Sequence, residues 1–471
     1  MSSEFLYLQL AREIRQQIET GTLKPGERLP SLRNLSENRQ ISLATVNQAY
    51  LHLEAQSFIM ARPQSGFYVM PRPLPRAIPH RPLTPESPAP VDKNAFISQI
   101  LEQSRQPGIL PLGATILSPE LLPVKQLSRL IAQWGSDPRC HRYAPTEGWI
   151  DLRRQIARRS LDSERPIGAE EVMVTAGCME ALHLSLRSLA QAGDLVAVES
   201  PTFYGILQAI ESLGMQVLEL PTDPQTGLDL EALEKAMKHH PIKVLVTVPS
   251  FQNPLGACMP LPKKQALLAL AQRTGLRIIE DDIYGEFYYR EPPPTLFSLD
   301  PTQQQVILCS SFSKTLAPGF RVGWVLAGPQ RERILQLKRM TSLSTASLPQ
   351  LVIADYLASG AYDRYLRRLR RQLENTLQKA LALIGREFPA QIRLSQPTGG
   401  FILWLELPPG VQALKIYRQA LAAGIAVAPG ELFFNQNQGY QALRISLNQP
   451  WGPTLEKGLC KLGALLREAI S

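Results

Sequence analysis

The sequence predicts an α/β chain: a seven-stranded doubly wound sheet with its covering helices, preceded by a small helical unit that ends in a β-wing. Three observations predict it. Between residues 171 and 327, short apolar runs alternate with segments of helical periodicity. The first 70 residues follow the order helix, helix, turn, helix, wing. Between these two regions, eight prolines fall in the twenty residues from Pro71 to Pro90, PRPLPRAIPHRPLTPESPAP.

Length and composition bound the answer. The chain has 471 residues, 44% hydrophobic and 19% charged. That is ordinary globular composition with ample chain for real cores. It excludes a wholly disordered, collagenous or coiled-coil protein. No run of about 18 apolar residues occurs, so no membrane-spanning helix is expected. The start, MSSEFLYLQLAREIRQQ, lacks the basic and apolar regions of a secretory signal. Five cysteines (Cys140, Cys178, Cys258, Cys309, Cys460) are scattered and never in CxxC spacing. The expectation is a reduced cytoplasmic protein with no disulfide frame and no metal site. The net charge of +9 is spread over the length and by itself specifies no partner.

In the small unit, Leu6, Leu10, Ile14 and Ile18 recur every four residues, which predicts an amphipathic helix from Tyr7 to Thr20. Gly21 ends it and LKPGERLP turns the chain. Ser31 then caps a short helix, and Ser42 caps another from Leu43 to about Gln56. Val46, Ala49, Tyr50 and Leu53 form the inner face of the latter. IMARPQSGFYV reads as two short strands around a polar tip. This order is the winged helix-turn-helix plan, in which the second helix of the pair enters the major groove of double-stranded DNA. The DNA-binding candidates are Ser31, Arg33, Ser42, Thr45, Asn47 and Gln48, with Arg62 and Ser65 at the wing. The same pattern also suits a generic three-helix packing module. Residues 1–70 carry only seven Lys and Arg against six Asp and Glu.

The proline-rich stretch, taken as 71–93, cannot lie in a helix or central strand and favours extended polyproline geometry. It reads as a semi-rigid linker between a domain of residues 1–70 and one of 94–471. The large domain divides into a large subdomain of about 146–335 and a small subdomain from the remainder.

Its strand candidates are EVMVT (171–175), LVAVE (195–199), MQVLEL (215–220), VLVTV (244–248), LRIIE (276–280), QVILCS (305–310) and VGWVLA (322–327). Ligands of such sheets bind outside the carboxyl ends of the strands. After the first run, Gly177 permits a tight turn that leaves the amides of Cys178 and Met179 at a helix start, suited to a phosphate. Phe203 follows the second run, as a stacking ring or a core aromatic. Asn253 follows the fourth. Glu280, Asp281, Asp282 and Tyr284 follow the fifth, as a functional cluster or a surface turn. Ser311, Ser313, Lys314 and Arg321 follow the sixth. A lysine, a carboxylate, an arginine and a phosphate-type turn at the strand ends of one sheet meet the needs of pyridoxal 5′-phosphate (PLP). Its aldehyde takes an amine, its ring nitrogen a carboxylate, and its phosphate amides, hydroxyls and an arginine.

Two resemblances sharpen this reading. LKPGERLPSLRNLSENRQISLATVNQAYLHLEAQSFI with RPQSGFYV resembles the GntR-type winged helix. It departs at Leu43, where that family usually carries a DNA-contacting arginine, and at Ser57, where glycine is common. SFSKTLAPGFRVGW, SFQNPLG, EDDIYGEF, RYAPTEGWIDLR and PTGGFILWLEL resemble PLP fold type I aminotransferases over roughly residues 110–455. That likeness implies Lys314 as the Schiff-base lysine and Asp281 as the partner of the ring nitrogen, ahead of Asp282. It implies Tyr284 and Asn253 at the ring hydroxyl and Phe203 on the ring. Gly177, Cys178, Met179, Ser311, Ser313 and Arg321 fall at the phosphate. Tyr143 would serve the phosphate of a partner subunit in a head-to-tail homodimer, and Arg444 would clamp an effector or substrate carboxylate.

Both parts with the proline-rich stretch resemble the MocR subfamily of bacterial transcription regulators. That implies a PLP-dependent DNA-binding regulator sensing a B6 vitamer or an amino compound. The alternatives are an active PLP-dependent aminotransferase and an enzyme that also regulates.

Overall fold

The computed structural model describes residues 6–55, 58–62, 65–70, 76–85, 87–104, 106–161, 165–300 and 304–470. Two compact units divide the chain: residues 1–75 with 375–387, and residues 76–374 with 388–471.

The small unit has helices Leu6–Glu19, Leu32–Arg39 and Leu43–Ala55, then strands β1 (Ile59–Arg62) and β2 (Gly66–Val69), which pair antiparallel. Both serine caps form. Ser31 Oγ accepts from the Asn34 amide at 3.2 Å and Ser42 Oγ from the Thr45 amide at 3.0 Å. Each satisfies one orphan N–H of a helix start. Leu10, Ile14 and Ile18 pack with Val46, Ala49, Tyr50 and Leu53 in one buried cluster. Tyr50 Oη donates to Pro30 O at 2.9 Å, tying the turn to the third helix.

From Arg76 onward the proline-rich segment packs as part of the larger unit. The Arg76 guanidinium donates to Phe388 O at 2.8 Å and Pro389 O at 2.6 Å. Leu394 N donates to Ala77 O at 2.9 Å, and Arg393 Nη1 to Ile78 O at 3.1 Å. An extended chain poor in N–H groups still offers its carbonyls, and those of Ala77 and Ile78 accept docking bonds beside the Arg76 guanidinium. Residues 71–75 and Glu86 lie outside the described residues.

The main sheet of the larger unit contains β3 (Ala89–Pro90), β4 (Val172–Thr175), β5 (Leu195–Ser200), β6 (Gln216–Asp223), β7 (Gly227–Leu228), β8 (Ile242–Thr247), β9 (Arg277–Asp281), β10 (Val306–Ser311) and β11 (Gly323–Leu326). All seven expected strands are present, in the order β6-β5-β8-β9-β10-β11-β4. The edge strands β3 and β7, two residues each, pair antiparallel with β6 and bring the sheet to nine. Strands β6, β5, β8, β9 and β10 run parallel, while β11 is antiparallel to both neighbours.

Alternate residues serve two cores. Val196, Val198, Val244, Val246, Ile279 and Ile307 face one layer; Leu195, Ala197, Leu245, Ile278 and Leu308 face the other. Burial on both faces is why these strands read as unbroken apolar runs.

A second antiparallel sheet has the order β12 (Arg393–Leu394), β13 (Ile402–Glu406), β15 (Ala442–Ser446), β14 (Ala428–Pro429). The segment around Leu110 joins it: Leu110 N donates to Gly424 O and Ala426 N to Leu110 O. Gly113 passes so close that a Cβ there would meet Val427 C at 2.7 Å, so the backbone approach requires glycine.

Candidate functional site

A cavity of about 110 Å³ opens at the carboxyl ends of the parallel strands. Cys178, Met179, Phe203, Asn253, Asp281, Tyr284, Ser313, Lys314 and Arg321 line it, with Leu182, Val248 and Ile283. Nine residues singled out from separate sequence segments thus share one wall.

At one end the helix Cys178–Leu189 begins. Its cap, Gly177, has φ of +85°, and a Cβ there would lie 2.5 Å from Arg321 Nη2. Only glycine leaves room for that guanidinium. Arg321 is held by Ala176 O at 3.1 Å and Ser313 Oγ at 3.3 Å. Ser311 Oγ donates to Ser313 Oγ at 2.7 Å and accepts from the Ser313 amide at 2.9 Å. A helix start, two hydroxyls and a guanidinium here make a cradle for a doubly charged anion.

At the other end Asp281 closes β9, 6% exposed. Burial pushes its carboxyl up to about 6, against the pull of a hydrogen bond from Cys178 Sγ at 3.4 Å. A buried carboxylate of this kind gains from a cation beside it. Asp282 is built differently. Its amide donates to Cys309 O, its carbonyl accepts from Ser310 Oγ, and it is absent from the cavity lining. Burial, then the neighbouring Glu280, raises its carboxyl well above the usual range.

Lys314 leaves the loop after β10. Burial and then the Arg444 charge draw its amine down to about 8, with Asp281 opposing. A lowered amine is the nucleophile that carbonyl capture needs. Asn253 is buried and donates to Tyr284 Oη at 3.4 Å. Burial raises the Tyr284 hydroxyl, keeping it neutral.

Arg444, on β15, is 1% exposed. It donates to Asn253 Oδ1 at 2.8 Å and to the Gly113 carbonyl, while its Nε has no hydrogen-bond partner among the described residues. A buried donor without a partner is costly and suits an arriving acceptor.

Tyr143 stands apart, 81% exposed and outside the lining of its own chain's cavity. In the small unit, Ser31, Arg33, Ser42 and Gln48 are exposed, and Thr45 and Asn47 half-buried. Ser65 Oγ shares a 2.6 Å hydrogen bond with Tyr68 Oη. The Arg62 backbone pairs with Gly66, and its side chain lies outside what is described.

Two further residues of the cavity's surroundings, Thr115 and Glu199, and one further role, that of the Cys178 thiol, escaped sequence reasoning. Thr115 is 6% exposed, and its Oγ1 accepts from Lys314 Nζ at 3.3 Å. The Cys178 thiol, not only its amide, meets the site. Glu199 is fully buried beneath the loop of Asn253, accepting from Thr247 Oγ1 at 2.8 Å and the Val248 amide at 3.1 Å. Burial pushes it up to about 7. Neither Thr115 nor Glu199 sits in a motif whose spacing announces it.

Residues 112–450 match the family of class I and II aminotransferases, and residues 6–69 match the gntR family of bacterial regulatory proteins. The uncharacterized HTH-type transcriptional regulator YdcR of Escherichia coli is 39% identical over 98% of this chain and 99% of its own. The chain belongs to the HTH-type regulators that join a GntR-type domain to a class I and II aminotransferase domain. This is the MocR-type arrangement. Outside that regulator family, 2-aminoadipate transaminase of Thermus thermophilus is 34% identical over 80% of this chain and 94% of its own. The crystal structure of LysN, an alpha-aminoadipate aminotransferase from the same organism in complex with N-(5′-phosphopyridoxyl)-L-leucine, superposes with TM-score 0.73. It is 33% identical and covers 79% of this chain and 95% of that one. Class I and II aminotransferases are PLP-dependent. Among the described residues of this regulator, no helix is long and apolar enough to cross a membrane.

Proposed function

We propose that this regulator binds PLP in the cavity of its larger unit and adjusts its DNA binding to an amino compound or B6 vitamer met there. The observation that carries the reading is the company of Lys314. Its lowered amine, the buried Asp281 carboxylate and the Cys178–Ser313–Arg321 cradle occupy one cavity, in a chain that also carries a winged helix.

The donor set fits PLP. Ser311, Ser313, Arg321 and the amides at Cys178 and Met179 would hold its phosphate, and Phe203 would lie on its ring. Asp281 would face the ring nitrogen, Asn253 and Tyr284 the ring hydroxyl, and Lys314 the aldehyde. When bound, PLP supplies a reversible covalent handle for primary amines and an electron sink. The protein's part is to orient and to hold charge. Asp281 keeps a negative charge beside the ring nitrogen, and Lys314, drawn down to about 8, holds far more of the neutral amine near neutral pH than an ordinary lysine. Arg444, with Nε unpaired, favours an amine that carries a carboxylate. The exposed Tyr143 fits a place in a partner's site, which would make the working species a head-to-tail homodimer.

The completeness of the same set favours a second reading, an aminotransferase with residual or full turnover. A spectral screen of amines and amino acids against the PLP-loaded protein separates the two. A sensor holds a stable shifted absorption with little keto acid formed and alters operator affinity. An enzyme releases keto acid steadily and leaves DNA binding unchanged.

A further inference from the structure

We infer that Thr115 is a positioning residue for Lys314, holding the lysine amine where it captures the cofactor aldehyde. The inference rests on the reading of the cavity as a PLP site.

Thr115 is carried by the second sheet, not by the main one. Ser446 N of β15 donates to Leu112 O, and Asn448 Nδ2 donates to Ala114 O at 2.9 Å and to Ile116 O at 2.6 Å. The carbonyls on both sides of Thr115 are therefore clamped by one side chain. Gly113, two residues earlier, is pinned against Val427 and receives Arg444. A segment held at so many points has little freedom to move its hydroxyl elsewhere.

That hydroxyl reaches across to the main sheet's loop. Thr115 Oγ1 accepts from Lys314 Nζ at 3.3 Å. A lysine amine rides on four rotatable bonds, and each rotamer it visits lowers the fraction poised for attack. One acceptor, fixed by the clamp on its own backbone, selects among them. The hydroxyl also gives the buried amine a polar partner that the apolar wall of Val248 and Ile283 does not. Because Thr115 belongs to the second sheet, a shift of that sheet would alter the lysine's orientation directly.

The role belongs to the hydroxyl rather than to packing, and two substitutions divide these. Thr115→Val keeps the volume and methyl group but removes the hydroxyl. Thr115→Ser keeps the hydroxyl and removes the methyl. The measurement mixes full-length apo-protein with PLP and follows the rate of absorbance gain, with borohydride trapping and peptide mapping to locate the attachment. Thermal unfolding of each apo-protein shows that both variants are folded. Thr115→Val should slow capture at Lys314 by about threefold to tenfold, the net weight of one buried hydrogen bond, and Thr115→Ser should restore most of it. Capture by Thr115→Val at the wild-type rate, or Thr115→Ser as slow as Thr115→Val, overturns the inference. If the wild-type protein attaches no PLP at Lys314, the reading of the cavity falls, and this inference with it.

Discussion

Arg444 Nη1 donates to Asn253 Oδ1 at 2.8 Å, joining the central strand of the second sheet to the loop that follows β8. Asn253 in turn donates to Tyr284 Oη, so three candidate ligand groups form one chain before any ligand arrives. The guanidinium is already oriented, and its Nε remains for an incoming acceptor.

That arrangement predicts selectivity. Arg444→Gln should weaken the response to carboxylate-bearing amines roughly 10- to 100-fold, the weight of a hydrogen bond to a charged group. Amines of similar size without a carboxylate should respond nearly as before. Titrating both classes against the absorbance of the PLP-loaded protein checks it. An equal loss for the two classes would mean that Arg444 supports the fold and does not read the carboxylate.

The rate of PLP capture should rise with pH to a midpoint near 8 and then level. The neutral amine is the nucleophile, and burial with the Arg444 charge brings Lys314 to about 8. Arg444→Gln removes a like charge and should move the midpoint up. Asp281→Asn removes an opposite charge and should move it down. A midpoint near the ordinary lysine value of 10.5 would contradict the site's electrostatics.

Asp281→Asn should weaken PLP binding roughly 10- to 100-fold, because an amide brings no charge to the ring nitrogen. Asp282→Asn should change it far less. Asp282 lies outside the cavity lining, and burial with Glu280 beside it already favours its neutral form. Dissociation constants from fluorescence quenching of the two variants decide, and the reverse ranking would exchange their roles.

DNA affinity should fall steeply as salt rises, since neutralised phosphates release counterions. Arg33→Ala should weaken binding to most sequences and reduce the log–log salt slope by about 0.9, one phosphate contact. Leu43 is 48% exposed at the start of its helix. Leu43→Arg should therefore raise affinity or change sequence preference. Anisotropy titrations on operator and unrelated duplexes would reveal either effect, and wild-type behaviour in both variants would move the interface elsewhere.

The fold was legible where its causes are local. Ser31 and Ser42 cap the helices they precede because a cap is written in three or four adjacent residues. Strands β5, β8 and β9 carry apolar runs (Leu195–Val198, Val244–Val246, Ile278–Ile279) because both faces are buried, and that pattern survives in the bare sequence. β3 and β7 escaped notice because two residues carry no period. The docking of 76–85 was hidden for another reason: its main-chain carbonyls, Arg76, His80 and Arg81 find their partners more than 140 residues away, and no local spacing records such contacts. The site divides in the same way. Lys314, Asp281, Asn253 and Arg321 stand in recognisable strings at strand ends. Thr115 meets Lys314 across 199 positions, through a segment carried on a different sheet, and no local spacing records that contact. The thiol of Cys178 reaches Asp281 only because the helix start and the end of β9 converge.

The central claim is that the state of the Lys314 cavity governs DNA binding. Footprinting or anisotropy on one operator, with apo, PLP-loaded and amine-treated protein, tests it most directly when run beside a transaminase assay on common amino and keto acids. The account predicts different operator affinity in at least one of the three states, with turnover slow or absent. Identical DNA binding in all three, with turnover of about 1 s⁻¹ or more, at the lower end of ordinary enzymes, would contradict it and leave an aminotransferase.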